Sequence, residues 1–378
     1  MTWVEIERLA TWSFRNLEPG PVEVSPGVNL FFGANGQGKS NVLEALAVAG
    51  TLRSFRSARL KPLVTTGGHA FRVATSVRSA NGTTALEVQW DDRSTPRRNL
   101  FLDGWAVPVD RYLTALPVVV IASGDRELVV GKPALRRAFL DRLTFLLRSV
   151  HLSDLRLYTR LLQQRNAGLA RGLGRREMEA WEERLADVAA RVVVARRHRL
   201  AGLVERFTKI YEVLGDHDFP HVALSYGAES FLGDDEDAGT LAEIYRKRYN
   251  DQRDRDRETG YTTVGPHRHD VVIRSAGGPA REYLSAGQIK TIAVALRLSF
   301  LEEVEQDRGE QVPLGIDDID VEIDEAVTER FLSLAGSGRQ LLITSTRSEL
   351  PGLGDVTCHR FVVNAGSIRD WNGEEERQ

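Results

Sequence analysis

Gly33-Ala34-Asn35-Gly36-Gln37-Gly38-Lys39-Ser40 is a complete G-x-x-x-x-G-K-S loop. Its flanks match its letters. Val28-Asn29-Leu30-Phe31-Phe32 is an apolar, strand-like run directly before it, and Asn41 to Ala49 carries Leu43, Leu46 and Ala47 at helical spacing directly after. A strand–loop–helix setting is what the motif needs. Glycines let backbone N–H groups turn inward around phosphate oxygens, and the following helix N-terminus adds donors and a partial positive charge. In such a loop Lys39 reaches the β- and γ-phosphates and Ser40 holds Mg²⁺. The loop residues from Gly33 to Ser40 are therefore the expected nucleotide contacts.

The chain has 378 residues and is 42% hydrophobic, enough for a sizeable core divided into two lobes. No apolar run is long enough to span a bilayer. The N-terminus, Met1-Thr2-Trp3-Val4-Glu5, lacks the basic and apolar regions of a secretion signal. Cys358 is the only cysteine, so it has no partner for an internal disulfide or a cysteine metal site. A cytoplasmic protein without a membrane partner is the expectation. Net charge is −3, but the segment from Arg126 to Leu214 holds 19 Lys+Arg against 10 Asp+Glu, a local net of +9. The remainder carries −12. A basic middle in an acidic frame fits a polyanion-facing lobe, and equally an arginine-rich solvated helical surface.

Residues 1–124 read as β-rich. Phe71, Val73, Thr75 and Val77 alternate onto one face, Leu86–Trp90 and Val118–Ile121 are further strands, and Asn81-Gly82 signals a hairpin. Residues 125–258 read as a helical lobe. Trp181, Leu185, Val188, Val192 and Ala195, then Leu203, Phe207, Ile210 and Leu214, step by three and four. That stripe is core packing, and its spacing also permits a short paired coil. The glycines of Arg165–Arg176 predict a loop there, Gly233–Gly239 an acidic turn, and the dense charges of Arg246–Glu258 a solvated helix or a mobile linker, the linker being favoured. Residues 259–378 return to α/β character, with Leu314-Gly315-Ile316 and Leu341-Leu342-Ile343 as short strands.

A phosphate loop alone fits kinases, GTPases and many ATPases, and the distal motifs separate them. Leu314-Gly315-Ile316-Asp317-Asp318 is a strand ending in two carboxylates. Asp317 suits the Mg²⁺ shell, and Asp318 suits orienting or deprotonating an attacking water; an ordinary Asp-Asp turn is the alternative. Leu284-Ser285-Ala286-Gly287-Gln288 precedes the apolar run Ile289–Leu301. Ser285 is either simply a helix N-cap or, with the Gly287 amide, a binder of a γ-phosphate.

This L-S-x-G-Q segment resembles the signature of ABC-type ATPases, in which one subunit's signature closes over ATP held by the other. Lys39 and Ser285 lie almost 250 residues apart, too far for a transporter cassette. The layout resembles the split head of SMC proteins, with an insertion too short for their long coil. Phe14-Arg15-Asn16, Gly33–Ser40 with Asn41, Leu43, Glu44 and Ala45, Arg53-Ser54-Phe55-Arg56, the Pro133–Asp141 segment with Arg136 and Arg137, the Tyr158–Asn166 segment with Gln164 and Arg165, Gly265-Pro266-His267-Arg268 and Thr344-Ser345-Thr346 follow in order. Together they resemble the RecF family of DNA repair ATPases over nearly the whole chain.

The resemblance implies an α/β, SMC-like ABC ATPase head split by a helical arm. It implies ATP and Mg²⁺ as cofactors and an ATP-dependent homodimer in which Ser285, Gly287 and Gln288 of one copy complete the other's site. It implies weak, DNA-stimulated hydrolysis with Lys39, Asp317 and Asp318 as catalytic residues. Gapped DNA or a single-strand/double-strand junction is the implied DNA partner, with RecR and RecO as mediators. Arg136, Arg137, Arg156 and Arg160 are the candidate DNA contacts, although Arg136 and Arg137 could equally brace the two lobes. The sequence departs from the family at His269, at Gly315 and at Val321-Glu322-Ile323-Asp324. Those departures keep a second reading open: a RecF-like ATP-binding switch with little turnover, serving another complex such as phage defence.

Overall fold

A computed structural model of the chain describes residues 2–215, 219–233, 237–322, 325–336, 338–350 and 357–371. The chain forms two compact units, one of residues 1–126, 209–219 and 285–378, the other of 127–208 and 220–284. Segment 259–284, which the sequence assigns to the head, therefore packs in the second unit.

The first unit holds two six-stranded sheets. One is mostly parallel and runs, edge to edge, Ser367–Asp370, Cys358–Asn364, Val28–Phe32, Leu341–Ser345, Leu314–Ile316, Val119–Ile121. Its inner strands are apolar at nearly every position and buried on both faces, as a parallel sheet covered on both sides requires. The other sheet is antiparallel and runs Gly20–Glu23, Glu5–Trp12, Ala70–Ser79, Gly82–Asp91, Arg98–Leu102, Trp105–Ala106. The predicted hairpin is there, with Ser79 paired to Gly82. Phe71, Val73, Thr75 and Val77 form the buried face. Helix Lys39–Thr51 lies in the core these sheets share, with Val42, Leu43, Leu46 and Val48 fully buried. Gly315 sits on its strand against Val120 and Leu43, where a Cβ would lie 3.1 Å from Val120 Cγ2.

The second unit is mainly helical. Helices Pro133–Leu147, Val150–Ala170, Arg175–Leu214, Ala238–Asp251 and Arg253–Thr259 accompany a small antiparallel sheet of Val222–Gly227, Asp270–Ser275 and Gly278–Pro279. Leu185, Val188 and Val192 of the predicted stripe are buried and share a cluster with Tyr158, Leu161, Tyr245 and Tyr249. No helix among the described residues is long and apolar enough to cross a membrane.

Two expectations are corrected here. The loop predicted over Arg165–Arg176 is confined to residues 171–174, because helix Val150–Ala170 continues through Arg165 and Gly168. Gly168 serves close packing: a Cβ there would lie 2.7 Å from Met178 Sδ and 2.9 Å from Trp181. Of the two readings of Arg246–Glu258, the favoured linker gives way to helix: the segment lies in two of them. Two of its charges, Arg253 and Asp256, face inward onto partners, while Lys247, Asp251, Asp254, Arg255, Arg257 and Glu258 stay exposed. Arg165, with no exposed side-chain surface, donates to Glu182 at 3.1 Å, Asp256 at 2.6 Å, Thr262 at 2.9 Å and the Tyr249 carbonyl at 3.1 Å. Arg253 also reaches Glu182, through Nη2 at 2.5 Å. Of the acidic turn Gly233–Gly239, residues 234–236 lie outside the described residues, and Asp237 caps helix Ala238–Asp251 by accepting from Thr240 N.

Arg165 thus neutralises two buried carboxylates at once, and removing one partner of such a set is costly. Arg165→Leu is expected to destabilise the second unit by about 3–5 kcal/mol. Hydrogen exchange should accelerate in residues 238–263 and leave the parallel sheet unaffected. Unchanged protection of that segment would contradict the assignment.

Candidate nucleotide site

Strand register builds this site. Val28–Phe32 and Leu341–Ser345 pair in parallel, with Phe32 opposite Ser345. Ile343 pairs with Ile316, and Ile316 with Ile121. Parallel strands end at the same sheet edge, so the loop after Phe32, the acids after Ile316 and the residues at Thr344–Thr346 emerge side by side. Open α/β sheets bind ligands at that edge.

The Gly33–Ser40 loop is shaped by glycines where no other residue fits. Gly33 has φ 151°, and a Cβ there would lie 2.3 Å from the Val363 carbonyl oxygen. Gly38, at φ 116°, caps helix Lys39–Thr51 and lies against Asn16. Ala34, Asn35 and Gly36 are exposed, while Lys39 is buried at 4% exposure. Its Nζ donates to the Gly33 carbonyl at 2.9 Å and the Ala34 carbonyl at 3.1 Å, and lies 3.5 Å from Asn35 Oδ1. The ammonium is thereby held inside the curve of the loop.

The paired acids face this lysine. The Ser40 hydroxyl hydrogen-bonds the Asp317 carboxylate. Thr344 Oγ1 donates to Asp317 Oδ1 at 2.9 Å and accepts from the Asp318 amide at 2.7 Å. Burial first, then the neighbouring Asp318 charge, pushes the Asp317 carboxyl up to about 6. Burial also raises Asp318, against the pull of Lys39. Asp318 sits at φ 45°, a left-handed conformation that turns the chain sharply after the strand. Hard oxygen donors from Ser40 and Asp317, the latter carrying a carboxylate whose charge lacks full compensation, are the donor set a Mg²⁺ ion prefers.

Several supporting residues carry no signal as sequence-predicted ligands. Glu44 has no exposed surface; Arg15 pairs with it at 2.8 and 2.9 Å, and Ser54 donates to it as well. Arg56 donates to Asn41 at 2.8 Å, and Asn41 to Asn16 at 2.6 Å. The Phe14–Asn16 and Arg53–Arg56 segments are thus tied to the helix that follows the loop. Gln37 accepts from the Ala365 amide through Oε1 at 2.6 Å and from the Gly366 amide through its carbonyl at 2.8 Å. Asp320 accepts from the Thr346 amide at 2.7 Å and its hydroxyl at 2.6 Å, which ties the acid turn to the neighbouring strand end.

Ser285 does cap a helix. It accepts from Gln288 N at 3.3 Å while Gln288 Oε1 accepts from Ser285 N at 2.9 Å, a reciprocal capping box at the start of Ala286–Arg308. The box leaves the Ser285 hydroxyl proton uncommitted. The amides of Ala286 and Gly287 have no acceptor among the described residues, as first-turn amides lack intrahelical partners. Ser285 is exposed, and Gly287 and Gln288 are half-buried.

The candidate DNA arginines divide. Arg136 is buried; it clamps Asp270 through two 2.8 Å bonds and donates to three carbonyls, the shortest that of Gly131 at 2.9 Å. Arg137 donates to the His269 carbonyl at 2.7 Å. Both brace the second unit, so Arg136 is corrected from a DNA contact to a structural residue. Arg156 and Arg160 are exposed on one helix.

Comparison with known proteins bears on the family and the fold. The family described as RecF/RecN/SMC N terminal domain matches residues 5–367. The DNA replication and repair protein RecF of Anaeromyxobacter dehalogenans strain 2CP-1 is 33% identical over 363 residues, covering 94% of this chain and 96% of that protein. That of Symbiobacterium thermophilum is 32% identical over 369 residues, covering 96% and 97%. A solved structure described as the recombination mediator protein RecF-ATP in the RecFOR pathway has a TM-score of 0.88 at 28% identity, covering 98% of each chain. An SMC head bound to the C-winged helix domain of ScpA, at 15% identity and a TM-score of 0.56, shares the fold.

The raised Asp317 carboxyl has a thermodynamic consequence. An acid whose folded pKa exceeds its unfolded value binds its proton more tightly when folded. Stability is therefore lost as pH rises from about 4 to about 6 and stays lower above that window. Asp317→Asn, without nucleotide, is expected to melt several degrees higher than wild type at pH 8, a gain on the order of 2 kcal/mol. The two should melt together at pH 4. A difference that does not change with pH would show that the carboxylate is not strained.

Proposed function

Since the chain belongs to the RecF family, we propose that it is an ATP-dependent DNA replication and repair protein that closes as a dimer on DNA. The observation that carries this reading is the hydrogen-bonded line Ser40–Asp317–Thr344–Asp318 set opposite Lys39.

In this reading the loop Gly33–Ser40 binds the phosphates of ATP. Lys39, held in the free protein by the Gly33 and Ala34 carbonyls, exchanges those oxygens for phosphate oxygens. Ser40 and Asp317 would hold Mg²⁺, which supplies charge neutralisation for the phosphates. Asp318 orients the attacking water and accepts its proton. Its raised pKa suits that role, since a base closer to neutrality takes a proton more readily. Thr344 keeps the two acids apart in function. It donates to Asp317 and fixes the backbone of Asp318, leaving the Asp318 carboxylate to face the loop. The Ser285 hydroxyl and the Ala286 and Gly287 amides of a second copy complete the phosphate shell, with Gln288 holding the cap. Hydrolysis then releases the dimer and its DNA.

RecO and RecR are the proposed mediators, on the strength of the RecFOR context given for the RecF structure. Gapped DNA or a strand junction is the proposed substrate. Of the departures behind the low-turnover reading, Gly315 packs against Val120 and Leu43, and residues 323 and 324 lie outside the described residues.

Asp318→Asn is expected to lower ATP turnover at least about 100-fold while ATP still drives dimerisation. Ser285→Arg should bind ATP but remain monomeric by light scattering, at a stability cost of about 1 kcal/mol for the lost cap. Full turnover in Asp318→Asn would remove its catalytic role. ATP-driven dimers of Ser285→Arg equal to wild type would remove the composite site. Gapped-DNA affinity should fall steeply with salt.

A further inference from the structure

The antiparallel sheet ends at the two-residue strand Trp105–Ala106. Register pairs Trp90 with Arg98 and Leu102 with Trp105, so these four side chains lie on one face. Over the middle of the sheet that face is the core. At the edge it opens into a cleft of about 650 Å³, whose wall includes Leu60, Trp90, Arg97, Arg98 and Val107 and contains no carboxylate. Arg53, beside Arg98, follows the far end of helix Lys39–Thr51. Thirteen residues of helix, about 20 Å, separate it from the phosphate loop.

Three features of this edge remain unused by the nucleotide site. Arg97 and Arg98 have no acidic partner among the described residues. Arg98 is half-buried, and the charge that acts on it is a second cation, Arg53; burial and that repulsion hold its pKa below the usual arginine value. Trp105 is 78% exposed, yet it is rigidly carried, because Asp103 at φ 49° and Gly104 at φ 79° form the tight turn before it. A half-buried cation beside another cation costs free energy until an anion sits between them. An indole left in water at a fixed turn offers a flat face to a planar partner. Arg98 and Leu102, the latter paired with Trp105, are four residues apart, about 13 Å along the strand.

We propose that this cleft and the Trp105 turn beside it form a single-stranded DNA site, in which Arg97 and Arg98 take backbone phosphates and the Trp105 indole stacks on a base. Phosphate–guanidinium pairing with aromatic stacking is the combination that holds single strands without reading sequence. The inference rests on the DNA reading above and adds to it a surface and named contacts. A double helix keeps its bases stacked inside and offers Trp105 none.

The test is binding of fluorescent oligothymidylate and of a blunt duplex to the full chain across a salt series. Trp105→Ala and Arg98→Gln are each expected to weaken oligothymidylate binding about 10-fold, and Arg98→Gln to reduce the salt slope by about one. Trp105→Phe and Arg98→Lys should retain most of the affinity. Duplex binding should stay within about twofold of wild type, and ATP-driven dimerisation should be unaltered. Trp105 is exposed and Arg98 makes no ion pair among the described residues; melting curves check that both variants fold. Oligothymidylate binding unchanged in both alanine and glutamine variants overturns the proposal, as does an equal loss for strand and duplex. A glutamate-rich peptide bound through Arg98, with DNA binding untouched, would assign the cleft to a protein and also overturn it. A wild type that binds no DNA would instead sink the broader DNA reading.

Discussion

Parallel pairing of Val28–Phe32, Leu341–Ser345 and Leu314–Ile316 is the constraint on which the nucleotide site depends. Parallel strands must all end at one edge, and a one-residue slip in any of them would turn its side chains to the other face. With Phe32 level with Ser345 and Ile316 level with Ile343, Thr344 falls between the phosphate loop and the acids. One hydroxyl can then serve Asp317 as donor and Asp318 as acceptor. The sheet needs full burial to hold this register, and its strands provide it with continuous apolar runs.

Around that edge, buried charge does much of the specifying. Glu44 is enclosed in the core of the first unit, where a lone carboxylate would be costly. Arg15 and Ser54 satisfy it, and in doing so fix two loops that flank the helix after the phosphate loop. Arg165 plays the matching part in the second unit, where it gathers Glu182, Asp256 and Thr262. Such sets leave few alternative packings, because each alternative strands a charge. The paired acids after Ile316 are the exception. Asp317 and Asp318 stand adjacent with raised pKa values, a strain that binding of a cation would relieve.

Legibility in the sequence followed how local the cause was. The phosphate loop, its strand and helix, the Asn81-Gly82 hairpin and the acid strand depend on residues next to one another, and each is found where the sequence places it. Arg165–Arg176 and Arg246–Glu258 were misread for one shared reason. Glycine and charge are loop signals when exposed, but here Gly168 makes room for Met178, and Arg253 and Asp256 are neutralised by residues about 70 to 90 positions away. Whether Arg136 contacts phosphate or braces the fold was not decidable locally, because its partner, Asp270, lies 134 residues on.

By itself the sequence determined the chemistry on offer: a phosphate loop, a strand ending in two acids, a signature segment, and a family. Those follow from short-range patterns that a local backbone must obey. The tertiary structure alone decided which charges face water and which are spent. It assigned Glu44 and Arg136 to bracing, placed Thr344 between the two acids, and left the Arg97, Arg98 and Trp105 side chains without polar partners among the described residues. The reason is physical: whether a charge is free depends on what lies within a few ångströms of it, and in a fold those neighbours come from distant parts of the chain.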